Sequence, residues 1–193
     1  MHSQEPIKLI LVGDTHVGKT SILSHYVKGV ISKDEAPTIG AAFEVKEITV
    51  NGQSYNMNIW DTAGQEAYRA LLPMFFRGAS IALVVFDVTN VQSFLSIDSR
   101  INEVKKYVDS KTLFAIVGNK IDLDGRAVSS EAISKKANEM KLRYFETSAL
   151  SGLGINNLFE SVLVQYINEN TRRVVKSVLN VDLTKSSDDK KCC

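Results

Sequence analysis

The chain has 193 residues, is 44% hydrophobic and 23% charged, and carries a formal net charge of +1. That describes one globular domain with a little chain left over, and the near-neutral balance argues against a dedicated nucleic-acid binder, which would present a basic face. No apolar run approaches the ~20 residues that span a bilayer. Met1 to Pro6 shows no signal-peptide pattern, and with Cys192 and Cys193 as the only cysteines a disulfide framework is excluded and a reducing compartment fits.

Ile7 to Val12 is a short apolar run that reads as a buried strand. Gly13-Asp14-Thr15-His16-Val17-Gly18-Lys19-Thr20 follows, with the spacing Gly, four residues, Gly-Lys-Thr. Ser21 to Val27 then spaces its apolar residues like a helix. Strand, glycine loop and helix together make an anion site. The loop turns backbone N–H groups onto phosphate oxygens, and the helix N-terminus adds the positive end of a dipole. Lys19 would reach the outer phosphates, and Thr20 would give its hydroxyl to Mg²⁺. Without a ligand the same stretch would be a mere glycine turn, but three residue types at fixed offsets and both flanks favour the phosphate site.

Lys28 to Pro37 is polar and aperiodic, hence a loop. Phe43 to Val50 and Gln53 to Trp60 are β-rich and flank Asn51-Gly52, a strong hairpin signal. Ser80 to Asp87 and Leu113 to Asn119 are apolar without alternation, as strands covered on both faces should be, and Arg143 to Glu146 is a weaker third case. Helical patterns occupy 93–108, 129–140 and 156–170. The alternation predicts an α/β fold: βαβ units, a mostly parallel sheet with one hairpin-joined antiparallel strand, and helices on both faces. Ligands of such sheets bind beyond the carboxyl ends of the strands.

The chemistry does cluster there. Asn119-Lys120-Ile121-Asp122 follows one strand. A fixed carboxylate at Asp122 accepts the N1–H and exocyclic amine of guanine but would meet a lone pair on adenine, so it discriminates the base. Lys120 can lie along the base or brace the phosphate loop, and Asn119 can tie loops together. Ser148-Ala149, after Phe145, would offer a backbone N–H to the base oxygen. Asp61-Thr62-Ala63-Gly64-Gln65 follows another strand. There Asp61 would hold the metal through water, Gly64 would bring an N–H close to a terminal phosphate, and the Gln65 amide would orient an attacking water.

On these residues the chain, over about 7–170, closely resembles the Rab family of small GTPases within the Ras superfamily. The resemblance implies a P-loop NTPase with a six-stranded, mostly parallel sheet, one antiparallel edge strand and five helices on both faces; it would bind GTP with Mg²⁺ and slowly hydrolyse it to GDP, with two segments that sense the third phosphate. Gly13 through Ser21, Thr38, Asp61, Gly64, Asn119, Lys120, Asp122, Ser148, Ala149 and Leu150 would contact nucleotide. Thr20, Thr38 and Asp61 would serve the metal, and Gln65 would be catalytic. Ile39-Gly40-Ala41-Ala42-Phe43, Phe75 to Ala79 and Leu83 to Thr89 look like Rab segments, and Thr38 to Phe43 with Pro73-Met74 look like the endosomal branch. Phe43, Trp60 and Phe75 match an aromatic triad read by effectors; the plainer account makes them core aromatics.

Four departures stand out. Ile31 replaces a phenylalanine packed against guanine, a loss of about 0.5–1.5 kcal/mol. His16 stands among small residues of the phosphate loop, Ala67 replaces an arginine, and Leu150 replaces a lysine after Ser148-Ala149. From Thr171 the pattern loosens into an expected flexible, hypervariable tail, 171–193, with six Lys and Arg against three Asp. Residues 1–170 are the expected GTP-binding domain. Exposed thiols at a chain end are available for lipid, and the resemblance implies geranylgeranylation of Cys192 and Cys193. Two lipid chains give the stable anchoring that one does not. It also implies a monomer cycling between cytosol and the cytoplasmic face of intracellular, endosomal membranes. Its partners would be an exchange factor, a GTPase-activating protein, effectors, a GDP-dissociation inhibitor and the prenylation machinery, with no nucleic acid. The alternatives are a hydrolysis-deficient GTP-binding membrane adaptor, which Gln65 and Thr38 oppose, and another P-loop kinase or ATPase, which Asp122 opposes.

Overall fold

The computed structural model describes residues 5–30, Thr38, 41–62 and 72–185. The expectations that rest on Ile31, Gly64, Gln65, Ala67, Cys192 and Cys193 fall outside these residues. The strands are β1 (Ile7–Val12), β2 (Ala41–Val50), β3 (Gln53–Thr62), β4 (Ile81–Asp87), β5 (Leu113–Asn119) and β6 (Arg143–Glu146). They form one sheet in the order β2-β3-β1-β4-β5-β6. Only the β2–β3 pair is antiparallel, so β2 is the antiparallel edge strand the hairpin signal called for. Asn51 and Gly52 both take positive φ, 52° and 77°, the backbone of the tight turn that suits the strands' twist.

The helices are α1 (Lys19–Lys28), α2 (Leu72–Phe76), α3 (Val91–Leu95), α4 (Ile97–Lys105), α5 (Ser130–Met140) and α6 (Ile155–Lys185). Only Ser96 separates α3 from α4. The Ser93 hydroxyl donates back to the Asn90 carbonyl at 2.8 Å, and Ser96 Oγ lies 2.9 Å from the Ser93 carbonyl, a local competition that disturbs a helix ladder. Counted as one interrupted helix, the pair leaves five helical units among the described residues. α6 corrects one boundary. It runs to Lys185 rather than ending near Asn170, because 155–185 contains no Gly or Pro, and Val174, Val178, Val175, Leu179 and Leu183 keep i, i+4 spacing.

All seven residues of β4 and of β5 are buried, which explains their lack of alternation. Successive residues face opposite cores. Leu9, Leu11, Leu83, Val85 and Val117 pack with Ile22 of α1 and Leu158, Phe159 and Val162 of α6. Ile10, Val12, Val84, Phe86 and Ile116 pack with Phe76, Ile97, Ile101, Val104 and Ile133. Tyr26 stacks on Phe159 with ring centroids 3.8 Å apart, which fixes α1, and therefore the start of α1, against the sheet. β1 lies between β3 and β4, where the connections leave in opposite directions, and its carboxyl end opens on the phosphate loop.

Candidate nucleotide site

The phosphate loop is built by glycine where nothing else fits. Gly13 has φ 153°, and a Cβ there would stand 2.2 Å from the Val85 carbonyl oxygen. Gly18 has φ 93°, and its Cβ would stand 2.3 Å from Asn119 Nδ2. Gly18 is also the N-cap of α1, with no side-chain cap and no acidic residue in the first turn, so the first N–H groups of the helix face an environment suited to an anion. His16 adopts the left-handed backbone at φ 63°, an uncommon conformation that a non-glycine residue holds only when its surroundings fix it. Lys19 is buried and donates to the Gly13 and Asp14 carbonyls at 3.0 and 2.8 Å. Burial pulls its ammonium down to about 8, against the opposing pull of Asp61 and Asp14.

Three separate parts of the chain bring oxygen atoms together beside this loop. Thr20 Oγ1 on α1 donates to Asp61 Oδ2 at the end of β3 at 2.6 Å, and Thr38 Oγ1 lies 3.2 Å from the same carboxylate oxygen. The two hydroxyls are 2.8 Å apart. Asp61 is fully buried. Two hydroxyls and one carboxylate form an all-oxygen set that fits a small hard cation and not a soft metal. A threonine hydroxyl can keep its proton on the carboxylate while turning a lone pair to that cation. Gly64 and Gln65, expected beside this cluster, lie outside the described residues.

The base end is organised by Asn119, which is 1% exposed. Its Nδ2 donates to the Val17 carbonyl at 2.9 Å, and its Oδ1 accepts from Thr147 Oγ1 and the Ala149 N–H, both at 3.1 Å. One amide thus joins the phosphate loop to the Ser148-Ala149 loop. The Ala149 N–H, the group expected to face the base, takes part in this junction. Ser148 Oγ accepts from the Ser151 N–H at 3.0 Å and shapes the turn that follows. Lys120 takes a left-handed φ of 69° and places Nζ 2.7 Å from Asp87 Oδ2. Burial pushes the Asp87 carboxyl up, but Lys120 and the Thr89 hydroxyl and N–H outweigh it, so the group stays below its ordinary value. Gly18, Ser21, Asn119, Lys120, Asp122, Ala149 and Leu150 line a common cleft of about 170 Å³, with Leu123.

Sequence reading missed Asp87, Thr147, Leu123 and Arg100. Asp87 had a signal, since it closes β4 as Asn119 closes β5, and the two are register partners. Asp14, expected to contact nucleotide as part of the phosphate loop, has its carboxylate bonded to Arg100 and Ser96; its carbonyl faces Lys19. Phe43 and Trp60 are cross-strand partners with rings 4.8 Å apart, and Phe75 lies 5.8 Å from Trp60. Phe43 is 46% exposed, so this cluster is a partly open surface and not plain core.

Residues 8–168 match the Ras family. A putative ras-related protein Rab-5B of Dictyostelium discoideum is 40% identical over 156 residues, 80% of this chain and 72% of that protein. The GTP-binding protein YPT53 of Saccharomyces cerevisiae is 40% identical over 176 residues, 86% of this chain and 80% of its own length. Ras-related protein Rab5A of Oryza sativa is 39% identical over 156 residues, 80% and 77% of the two chains. With the P-loop sheet described above, these define a guanine-nucleotide-binding small GTPase, and the chain belongs to the Ras family. Within it the chain is a Rab, of the branch that includes the Rab5-like proteins, a GTP hydrolase of membrane trafficking.

Proposed function

We propose that residues 1–170 form a Mg²⁺-dependent GTP switch of low intrinsic rate, and that 171–193 tether it to the cytoplasmic face of endosomal membranes. The observation that carries the first part is the approach of Thr20, Thr38 and Asp61 to within 3.2 Å of one another's oxygens, from three separate parts of the chain. Mg²⁺ bound there would neutralise charge on the outer phosphates. Lys19 would exchange its loop carbonyls for phosphate oxygens, the glycine loop and α1 would hold the phosphates in line, and Asp122 would accept the guanine edge. Gln65 would orient the attacking water, and Gly64 would touch the third phosphate. Loss of that phosphate would release Thr38 and Gly64, which makes hydrolysis a conformational signal.

The Phe43, Trp60 and Phe75 cluster would present that signal to effectors. An exchange factor and a GTPase-activating protein would set its timing. Lipid on Cys192 and Cys193, added by prenylation machinery and shielded by a GDP-dissociation inhibitor, would hold the chain at the membrane. No described helix is long and apolar enough to cross a membrane. The reading is tested with purified chain and labelled GDP. GDP and GTP should displace the label and ADP should not. Gln65→Leu should keep GTP binding and slow single-turnover hydrolysis, and hydrolysis at the native rate would remove Gln65 from the mechanism.

A further inference from the structure

Arg100 lies on α4, far from the phosphate loop in sequence, yet its side chain is only 19% exposed and ends on that loop. Its Nε and Nη2 lie 2.9 and 2.8 Å from Asp14 Oδ1. Ser96, at the break between α3 and α4, donates to Asp14 Oδ2 at 2.8 Å. Arg100 Nη1 also reaches Glu103 Oε2 at 3.1 Å. The Asp14 carbonyl in turn accepts from Lys19 Nζ at 2.8 Å. Side chain and main chain of one residue therefore link α4 to the lysine that faces the phosphates.

The phosphate loop has other fixed points. Gly13 is pressed against the Val85 carbonyl, and Val17 is held by Asn119. Between them run Asp14, Thr15 and His16, and His16 is in the left-handed conformation. Among the bonds described above, those of Arg100 and Ser96 anchor this middle portion through a side chain. Asp14 is also the one acidic residue between Gly13 and Thr20. A carboxylate on a loop that must hold a polyanion opposes its ligand unless a cation cancels it.

We propose that Arg100 is a positioning residue for nucleotide retention: it fastens the middle of the phosphate loop to α4 through Asp14 and cancels the acidic charge that this loop carries. The proposal rests on the reading of the loop as a guanine-nucleotide phosphate site. Arg100 touches neither nucleotide nor metal in this role. Its effect passes through Asp14 to the loop backbone and Lys19. The break at Ser96 has a purpose in this account, since it turns the serine hydroxyl onto the second carboxylate oxygen.

The test is GDP release from the full chain in Mg²⁺. Arg100→Met leaves Asp14 uncompensated and should speed release by about tenfold, between the values expected of exposed and fully buried pairs. The excess should shrink as salt rises from roughly 0.1 to 1 M, because the Debye length falls from ~10 to ~3 Å. Adding Asp14→Asn to Arg100→Met removes the stranded charge and should slow release again, to within about threefold of native. Arg100→Lys, which keeps the charge and loses the two-nitrogen grip, should fall between native and Arg100→Met, and serves if the methionine variant folds poorly. Native release from Arg100→Met, or a double variant as fast as the single, overturns the inference. Guanine nucleotide bound by the native chain while Arg100→Met changes nothing overturns this inference alone. A native chain that retains no guanine nucleotide overturns the parent reading as well.

Discussion

The two ends of the nucleotide cleft are held by different means. At the base end the polar groups are bonded to one another as scaffold: Asn119 to Val17, Thr147 and Ala149, and Lys120 to Asp87. None of these bonds has to break for Asp122 to meet a base. At the phosphate end Lys19 is bonded to loop carbonyls, and Thr20 and Thr38 to Asp61. There the holding groups are the same groups that would serve phosphate and metal. The base end is a preorganised reader, and the phosphate end must exchange partners with its ligand. A switch that discriminates GDP from GTP needs its adaptable contacts where the two nucleotides differ.

The largest break in that contrast comes from Asn119→Ala. It strands a buried hydroxyl, a buried N–H and a buried carbonyl, at about 1 kcal/mol or more each. Unfolding free energy should drop by about 3 kcal/mol in urea denaturation, and GDP release should speed by roughly 100-fold. Thr20→Asn disturbs the other end. Mg²⁺ affinity should fall by roughly 10–100-fold, with GTP weakened more than GDP, as Mg²⁺ titrations with each nucleotide would show. Equal losses for the two nucleotides would mean that Thr20 does not serve the metal.

The pH dependence sharpens the comparison further, because Lys19 belongs to the phosphate end alone. In the folded chain it titrates at about 8, below its ordinary 10.5. Phosphate would keep it charged to higher pH. Binding above pH 8 therefore takes up a proton, and affinity falls as pH rises, by up to about tenfold per unit, and is flat below pH 8. Calorimetric titration of GDP at pH 7, 8 and 9 checks this. The same shift penalises the folded chain fully below pH 8, and that penalty fades as pH climbs toward 10.5. The smallest effect is at the base. Ile31→Phe should slow GDP release by a factor of roughly 2–10, from about 0.5–1.5 kcal/mol of ring packing. Equal or faster release in the variant would show that Ile31 is no deficit.

Much of this molecule is legible along the chain because its signals are local. Asn51-Gly52 predicts its turn since only certain residues tolerate two positive φ values in succession. The unbroken apolar runs of β4 and β5 predict burial on both faces, and Gly13 to Thr20 predicts a phosphate loop because its glycines are demanded by its own backbone. The helix boundaries are less legible. Ser96 divides a continuous apolar pattern through hydroxyl bonds that periodicity does not register, and α6 outlasts its strongest amphipathic stretch because nothing stops it.

The side-chain pairs across the cleft are a separate matter. Asp87 with Lys120, Thr147 with Asn119, and Asp14 with Arg100 link residues tens of positions apart, and no spacing rule can announce them. Residue type and local order determined which loops could hold phosphate, metal and guanine. Only the folded sheet, by lining up the carboxyl ends of β1, β3, β4 and β5, decided which of those side chains face the cleft and which, like the carboxylates of Asp14 and Asp87, hold its walls in place.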